Sequence, residues 1–170
     1  IHWPLKDLRN DSWKAFIELQ KRGLCRSIGV SNFTIDNLKE LEEKYDVLPA
    51  INQVEFHPYH YQKELLEYCN SKNIIIEAYS PLVHAKRMDE PRLMAISDEL
   101  GKTPAQVLIR WAIQRGMVVL PKSVNQDRIV ENFAVFDFDI SNSLMKRLDD
   151  LDERYVTCWD PHNPPPYAPV

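Results

Sequence analysis

Glycine is scarce in this chain, with four residues in 170. No G-x-G-x-x-G turn exists, which excludes an open doubly wound sheet holding a dinucleotide phosphate on such a turn. Cysteine is rarer still. Cys25, Cys69 and Cys158 are odd in number, widely spaced and without a C-x-x-C pair. That argues against a disulfide framework or a zinc site and for free thiols in a reducing compartment, so a cytoplasmic location is expected. There is no long basic run and the net charge is −4, which speaks against a nucleic-acid surface. A local cluster around Lys122 and Arg128 can still hold a small anion. No apolar stretch approaches the roughly 20 residues of a bilayer span, and the start lacks the regions of a signal peptide. His57 and His60 are three apart but flank Pro58 and Tyr59 in a loop, so no metal site is expected.

What is present is an ordinary globular composition, 44% hydrophobic and 27% charged, too apolar for disorder. Five strand-like runs are each followed by a residue suited to cofactor or carbonyl chemistry. They are Ile1-His2-Trp3-Pro4, Ser27-Ile28-Gly29-Val30-Ser31-Asn32, Ala50-Ile51-Asn52-Gln53-Val54, Ile74-Ile75-Ile76-Glu77-Ala78-Tyr79-Ser80 and Val118-Val119-Leu120-Pro121-Lys122-Ser123. Parallel α/β folds carry their chemistry at the carboxyl ends of strands, so one polar group per strand outlines a ring of active-site loops.

Helical patterns fill the intervals. Asn10 or Asp11 is the expected cap of a helix over 12–22, with Trp13, Phe16, Ile17 and Leu24 on one face and Gly23 as its stop. Further helices are expected from Thr34, over 63–71, over 91–100 before Gly101, and from Thr103 with Pro104 at its first position. Two more follow, near 127–133 and after Ser141. Strand centres near Ile28, Asn52 and Ile76 fall about 24 residues apart, a βα spacing. The strands read as apolar on both faces, as in a parallel sheet covered by helices.

Five βα-type units suggest the later part of an α/β (β/α)8 or TIM barrel, from the end of its fourth strand to a tail; a whole barrel takes about 250 residues. Residues 1–160 are expected to form that carboxyl-terminal half. Residues 161–170, with Pro164-Pro165-Pro166, are expected to be an extended tail.

Six segments together, in order and spacing, resemble the aldo-keto reductase family: Ile1-His2-Trp3-Pro4, Gly29-Val30-Ser31-Asn32-Phe33, Asn52-Gln53-Val54-Glu55-Phe56-His57-Pro58-Tyr59, Ala78-Tyr79-Ser80-Pro81-Leu82, Pro121-Lys122-Ser123-Val124 and Arg128-Ile129-Val130-Glu131-Asn132. The resemblance implies a barrel that uses NADPH/NADP to reduce aldehydes and ketones to alcohols by hydride transfer, acting on a small-molecule carbonyl substrate. It also implies that this chain is the carboxyl-terminal half, carrying the cofactor site.

By the same resemblance, His2 is the catalytic histidine that hydrogen-bonds the substrate carbonyl, and Trp3 is a wall of the substrate pocket. A histidine satisfied in a core, or a packing tryptophan, is the plainer reading of each. Ser31, Asn32 and Gln53 match the nicotinamide carboxamide, although Ser31 and Asn32 equally suit a helix cap. Tyr79 takes the place of the ring that stacks on the nicotinamide, and Ser80 and Leu82 follow it along the cofactor. Lys122, Ser123 and Arg128 form a phosphate site that selects NADPH over NADH, with Glu131 and Asn132 reaching the adenine side. A solvated helix face is the alternative for the two cations.

The loop Val83-His84-Ala85-Lys86-Arg87-Met88 departs from the family's usual sequence, and Lys86 or Arg87 is expected to compensate as a phosphate contact. Glu55, His57, Pro58 and Tyr59 read as loop architecture, and the pairs Glu42-Glu43 and Asp149-Asp150 as solvated surface. The family's proton-donating tyrosine, with the lysine and aspartate that lower its pKa, matches no residue of this sequence. Efficient reduction by this polypeptide alone is therefore not expected, and its partner would be the missing amino-terminal half or a second copy. Two other readings stand beside the reductase: a non-catalytic NADPH-binding regulatory or scaffold protein, and a barrel that grips a phosphorylated substrate.

Overall fold

The computed structural model describes residues 1–158, so the expected tail at 161–170 lies outside the described residues. In chain order the elements are α1 (Arg9–Lys21), β1 (Val30–Ser31), α2 (Ile35–Lys44), β2 (Ile51–Glu55), α3 (Lys63–Ser71), β3 (Ile75–Tyr79), α4 (Pro91–Leu100), α5 (Pro104–Gln114), β4 (Val118–Val119), α6 (Gln126–Phe133) and α7 (Asn142–Asp149). The hydrogen-bonded strand order is β1-β2-β3-β4. Contacts divide the chain into two compact units, one of Ile1–Val54 with Gln62–Glu77, the other of Glu55–Tyr61 with Ala78–Thr157.

In the first unit β1 and β2 run parallel, with Val30 opposite Asn52 and Ser31 opposite Gln53. Ile75 N–H donates to the Ala50 carbonyl at 3.0 Å, which starts β3 beside β2. Gly29 suits the close approach just before β1, because a Cβ there would lie 3.0 Å from the Ile51 carbonyl oxygen and crowd it. The segment around Ile1 is not a strand, but its carbonyl accepts from Ser31 N–H at 2.7 Å. α2 forms where expected: Thr34 and Asn37 make a reciprocal capping box, and Leu38 and Leu41 are fully buried.

α1 departs from expectation. It starts at Arg9, three residues early, with Leu8 at its cap and no side-chain cap bond. Asn10 is engaged elsewhere, donating to Glu40 Oε1 at 2.8 Å. Leu24 lies beyond the Gly23 turn and is exposed, whereas Trp13 and Ile17 are buried. Glu40 ties α1 to α2 through Arg9, Asn10 and Lys44. Hydrogen bonds from Lys44, Asn10 and Arg9 hold its carboxyl well below the ordinary 4.5, at about 2. A depressed carboxyl contributes stability in full above its unfolded value, and loses it as pH falls through the folded one. Glu40→Gln is therefore expected to cost about 1 kcal/mol at pH 7, after allowing for solvent screening. Urea titrations should show that difference shrinking between pH 4.5 and 2, while a difference constant with pH would detach Glu40 from this role.

In the second unit Phe56 N–H donates to the Tyr79 carbonyl at 3.3 Å and Leu120 N–H to the Ala78 carbonyl at 3.0 Å, which sets β4 beside β3. α4 ends at Gly101 in the left-handed conformation (φ 61°). α5 opens on a capping box between Thr103 and Gln106 and buries Val107, Leu108, Trp111 and Ala112. Asp149 is not solvated surface: it accepts from the Trp111 indole at 2.9 Å and pairs with Arg115. Glu42 is exposed, as expected, although it takes the Tyr68 hydroxyl at 2.9 Å and pairs with Lys72, in the first unit. The strands are less apolar than expected, since β2 buries Asn52 and Glu55 while Ile75 and Val118 are exposed.

Candidate functional site

A cavity of about 790 Å³ lies wholly within the second unit. Its volume falls in the range of small-molecule sites. Ser80 and Leu82, after β3, form one wall; Lys122 and Ser123, after β4, and Arg128, Glu131 and Asn132, on α6, form another. Seven of the residues singled out from the sequence are thereby brought together.

Local chemistry places each of them. Asn125 caps α6 by accepting from Arg128 N–H at 3.0 Å, which sets Arg128, Glu131 and Asn132 on successive turns. Ser123 Oγ closes a turn on Asn125, accepting its N–H at 3.1 Å. Lys122 and Arg128 are exposed and neither is in an ion pair among the described residues. Two cations beside a helix N-terminus suit an anion of high charge density. Asn132 is buried, and Glu131 Oε1 accepts from Thr103 Oγ1 at 2.5 Å, joining α6 to the start of α5. Leu82, Met88, Pro104 and Leu120 supply an apolar stretch between these walls.

The rim carries unusual backbone. Ser80, Val83, His84 and Ala85 all have positive φ without being glycine (49°, 54°, 50° and 60°). Left-handed conformations cost L-residues roughly 1–2 kcal/mol each, and such strain gathers at functional sites. Val83 is fully buried and anchors the turn. His84 lines the cavity, its Nε2 3.1 Å from Ser80 Oγ.

Arg87 is engaged with the protein and not with this cavity. It pairs with Glu153 at 3.2 Å and lies over the rings of Tyr155 and Tyr59, 4.5 and 5.7 Å from their centroids. Neither it nor Lys86 lines the cavity. A charge count along the loop could not foresee a partner 66 residues away. The segment read as loop architecture is a tight turn closed by His57 and His60, and it carries a buried polar pair: Glu55 accepts from Thr157 N–H at 2.8 Å and lies 3.1 Å from His57 Nε2, and both side chains are almost inaccessible.

The other expected site residues lie in the first unit, apart from Tyr79, which ends β3. Asn32 Nδ2 donates to the His2 carbonyl at 3.1 Å and to Ser31 Oγ at 3.2 Å, and Ser31 Oγ donates to the Gln53 carbonyl at 2.7 Å. This chain of bonds gathers His2, Ser31, Asn32 and Gln53 between the carboxyl end of β1 and the middle of β2. Asn32 occupies the left-handed region (φ 62°), which asparagine tolerates. Gln53 Nε2 donates to Glu77, a residue that sequence reasoning took for strand alone. The His2 ring is exposed, 6.1 Å from the buried Trp3 ring. Thr103, Pro104 and His84 are cavity residues that sequence reasoning missed; Thr103 and Pro104 had already been explained as a helix start.

The chain is similar to known proteins. The sequence profile of the Aldo/keto reductase family matches residues 1–153. Glyoxal reductase of Bacillus subtilis is 46% identical over 156 residues, covering 91% of this chain and 56% of that protein. Methylglyoxal reductase DkgA of Salmonella typhimurium is 41% identical over 157 residues, covering 90% and 57%. A crystal structure of a Gox0644 mutant in complex with NADPH superposes with a TM-score of 0.91 at 37% identity, covering 97% of this chain and 62% of that one. The chain thus spans a little over half the length of the curated relatives it matches.

Proposed function

The chain belongs to the aldo/keto reductase family, and from that premise we propose that it supplies the cofactor-binding part of a (β/α)8-barrel enzyme reducing small aldehydes and ketones with NADPH. The observation that carries the reading is the gathering of Lys122, Ser123, Arg128, Glu131 and Asn132 around one cavity with Ser80 and Leu82. Its two cations fit a phosphate, and its apolar middle fits the body of a nucleotide. NADPH, when bound, would supply the hydride to the carbonyl carbon.

This chain's residues would bind and orient. Lys122, Ser123 and Arg128 would hold the 2′-phosphate, and Glu131 and Asn132 the adenine side. Ser80 and Leu82 would line the path between, and Tyr79 would face the nicotinamide ring. Ser31, Asn32 and Gln53 would take its carboxamide. His2, exposed at the head of the chain of bonds that ends on Gln53, would donate a hydrogen bond to the substrate carbonyl and orient it, with Trp3 as neighbouring wall. The proton donor that completes the chemistry in the family is assigned to no residue here.

The test is a titration of the full-length protein with NADPH, followed by loss of reduced-nicotinamide absorbance on adding glyoxal or methylglyoxal. Saturable binding with turnover is the expected result. Binding without turnover of any aldehyde or ketone would favour a non-catalytic NADPH-binding protein, and no binding would overturn the reading.

A further inference from the structure

Gln53 and Asn52 are adjacent amides on β2 with different surroundings. Asn52 is fully buried and pinned at both ends: its Nδ2 donates to the Phe33 carbonyl at 2.9 Å and its Oδ1 accepts from Phe33 N–H at 3.3 Å. Fully buried, it is out of reach of a ligand. Gln53 lies on the opposite face of the strand and is partly exposed. Its Nε2 donates to Glu77 Oε2, from the neighbouring strand β3. No described residue donates to its Oε1.

The chemistry of the partner decides which way this amide faces. A carboxylate accepts hydrogen bonds and has none to donate, so only the nitrogen end of Gln53 can turn toward Glu77. An amide whose nitrogen is held on one side presents its oxygen on the other. A Gln53 without such a partner could offer either end to a ligand at little cost.

We propose that Glu77 is a positioning residue that locks the Gln53 amide in one orientation, so that the site reads the amino group of a nicotinamide carboxamide. This deepens the NADPH reading above and rests on it. Gln53 Oε1 accepts from the carboxamide NH₂, and a ring substituent lacking that donor is discriminated against. Glu77 itself touches no ligand; its role passes through Gln53.

The test compares binding of NADP with that of 3-acetylpyridine adenine dinucleotide phosphate, in which a methyl group replaces the carboxamide NH₂. Calorimetric titration of the full-length protein reads both affinities without turnover. The native protein is expected to prefer NADP by about tenfold, the worth of one well-placed hydrogen bond. Glu77→Gln keeps the size of the side chain but can donate as well as accept, so Gln53 can turn over and donate to the acetyl oxygen. The preference is then expected to fall to about threefold or less. In a Gln53→Leu background, Glu77→Gln should leave the preference unchanged, because coupled residues act as one. A native protein that does not discriminate, or a Glu77→Gln preference equal to the native one, would overturn the inference while NADP binding itself stands. Failure of the native protein to bind either nucleotide would remove the cofactor reading and this inference with it.

Discussion

Arg128→Ala is expected to raise the Kd for NADPH about tenfold while leaving that for NADH within about twofold. The two cofactors differ only in the 2′-phosphate. A guanidinium meets a phosphate with two parallel N–H donors, and a charge-assisted bond of this kind contributes roughly 1.5–3 kcal/mol. The low end applies here, because Arg128 is exposed and its attraction is partly screened. Lys122 remains on the same wall of the cavity and keeps part of the field. The preference for NADPH should therefore narrow without vanishing, and the salt dependence of NADPH binding should become shallower. Fluorescence titrations of both nucleotides at low and high salt measure both effects. Equal weakening of NADPH and NADH would mean that Arg128 supports the fold of α6 and does not read the phosphate.

The second large effect concerns stability. Trp111 is fully buried on α5, with the Phe56 ring 6.0 Å and the Tyr61 ring 5.4 Å from its own, the latter edge-on. Its indole N–H donates to Asp149 at the end of α7. Arg115, one turn on, lies over the Tyr61 and Trp111 rings and pairs with the same carboxylate. Trp111→Ala removes the ring from a site closed on all sides, and such truncations cost about 3–5 kcal/mol. In a chain of this length that lowers Tm by about 10 °C. Trp111→Phe keeps most of the packing and loses the indole donor, so a cost of about 1–3 kcal/mol is expected. If calorimetry gave the two variants equal stability, the ring would not be filling the site as described.

The elements that could be read from sequence were those whose causes are local. Thr34, Thr103 and Ser141 cap α2, α5 and α7 because a hydroxyl needs only the backbone N–H three residues on. Pro91 and Gly101 bound α4 by backbone restriction alone. Lys122, Ser123 and Arg128 were legible as neighbours because they follow a strand within a few residues of one another, and they line one cavity. The misreadings share one cause, a distant partner. Asn10 could have capped α1, but Glu40 lies 30 residues on and binds it. Asp149 looked like solvated surface until Trp111 and Arg115 were brought to it, and Arg87 looked like a free cation until Glu153 was.

Sequence by itself settled which residue types follow or occupy the strands: two cations and a hydroxyl after β4, amides after β1 and on β2, and an aromatic ring ending β3. It settled most helix boundaries too, since capping and hydrophobic periodicity act over three or four residues. Tertiary structure alone decided which of these polar groups are engaged with the protein and which face outward. Asn52 and Gln53 are neighbours with the same functional group, yet the Phe33 backbone occupies one while Glu77 turns the other. A side chain's chemistry is written in its own atoms. Its availability depends on partners that only the folded chain brings within hydrogen-bonding distance.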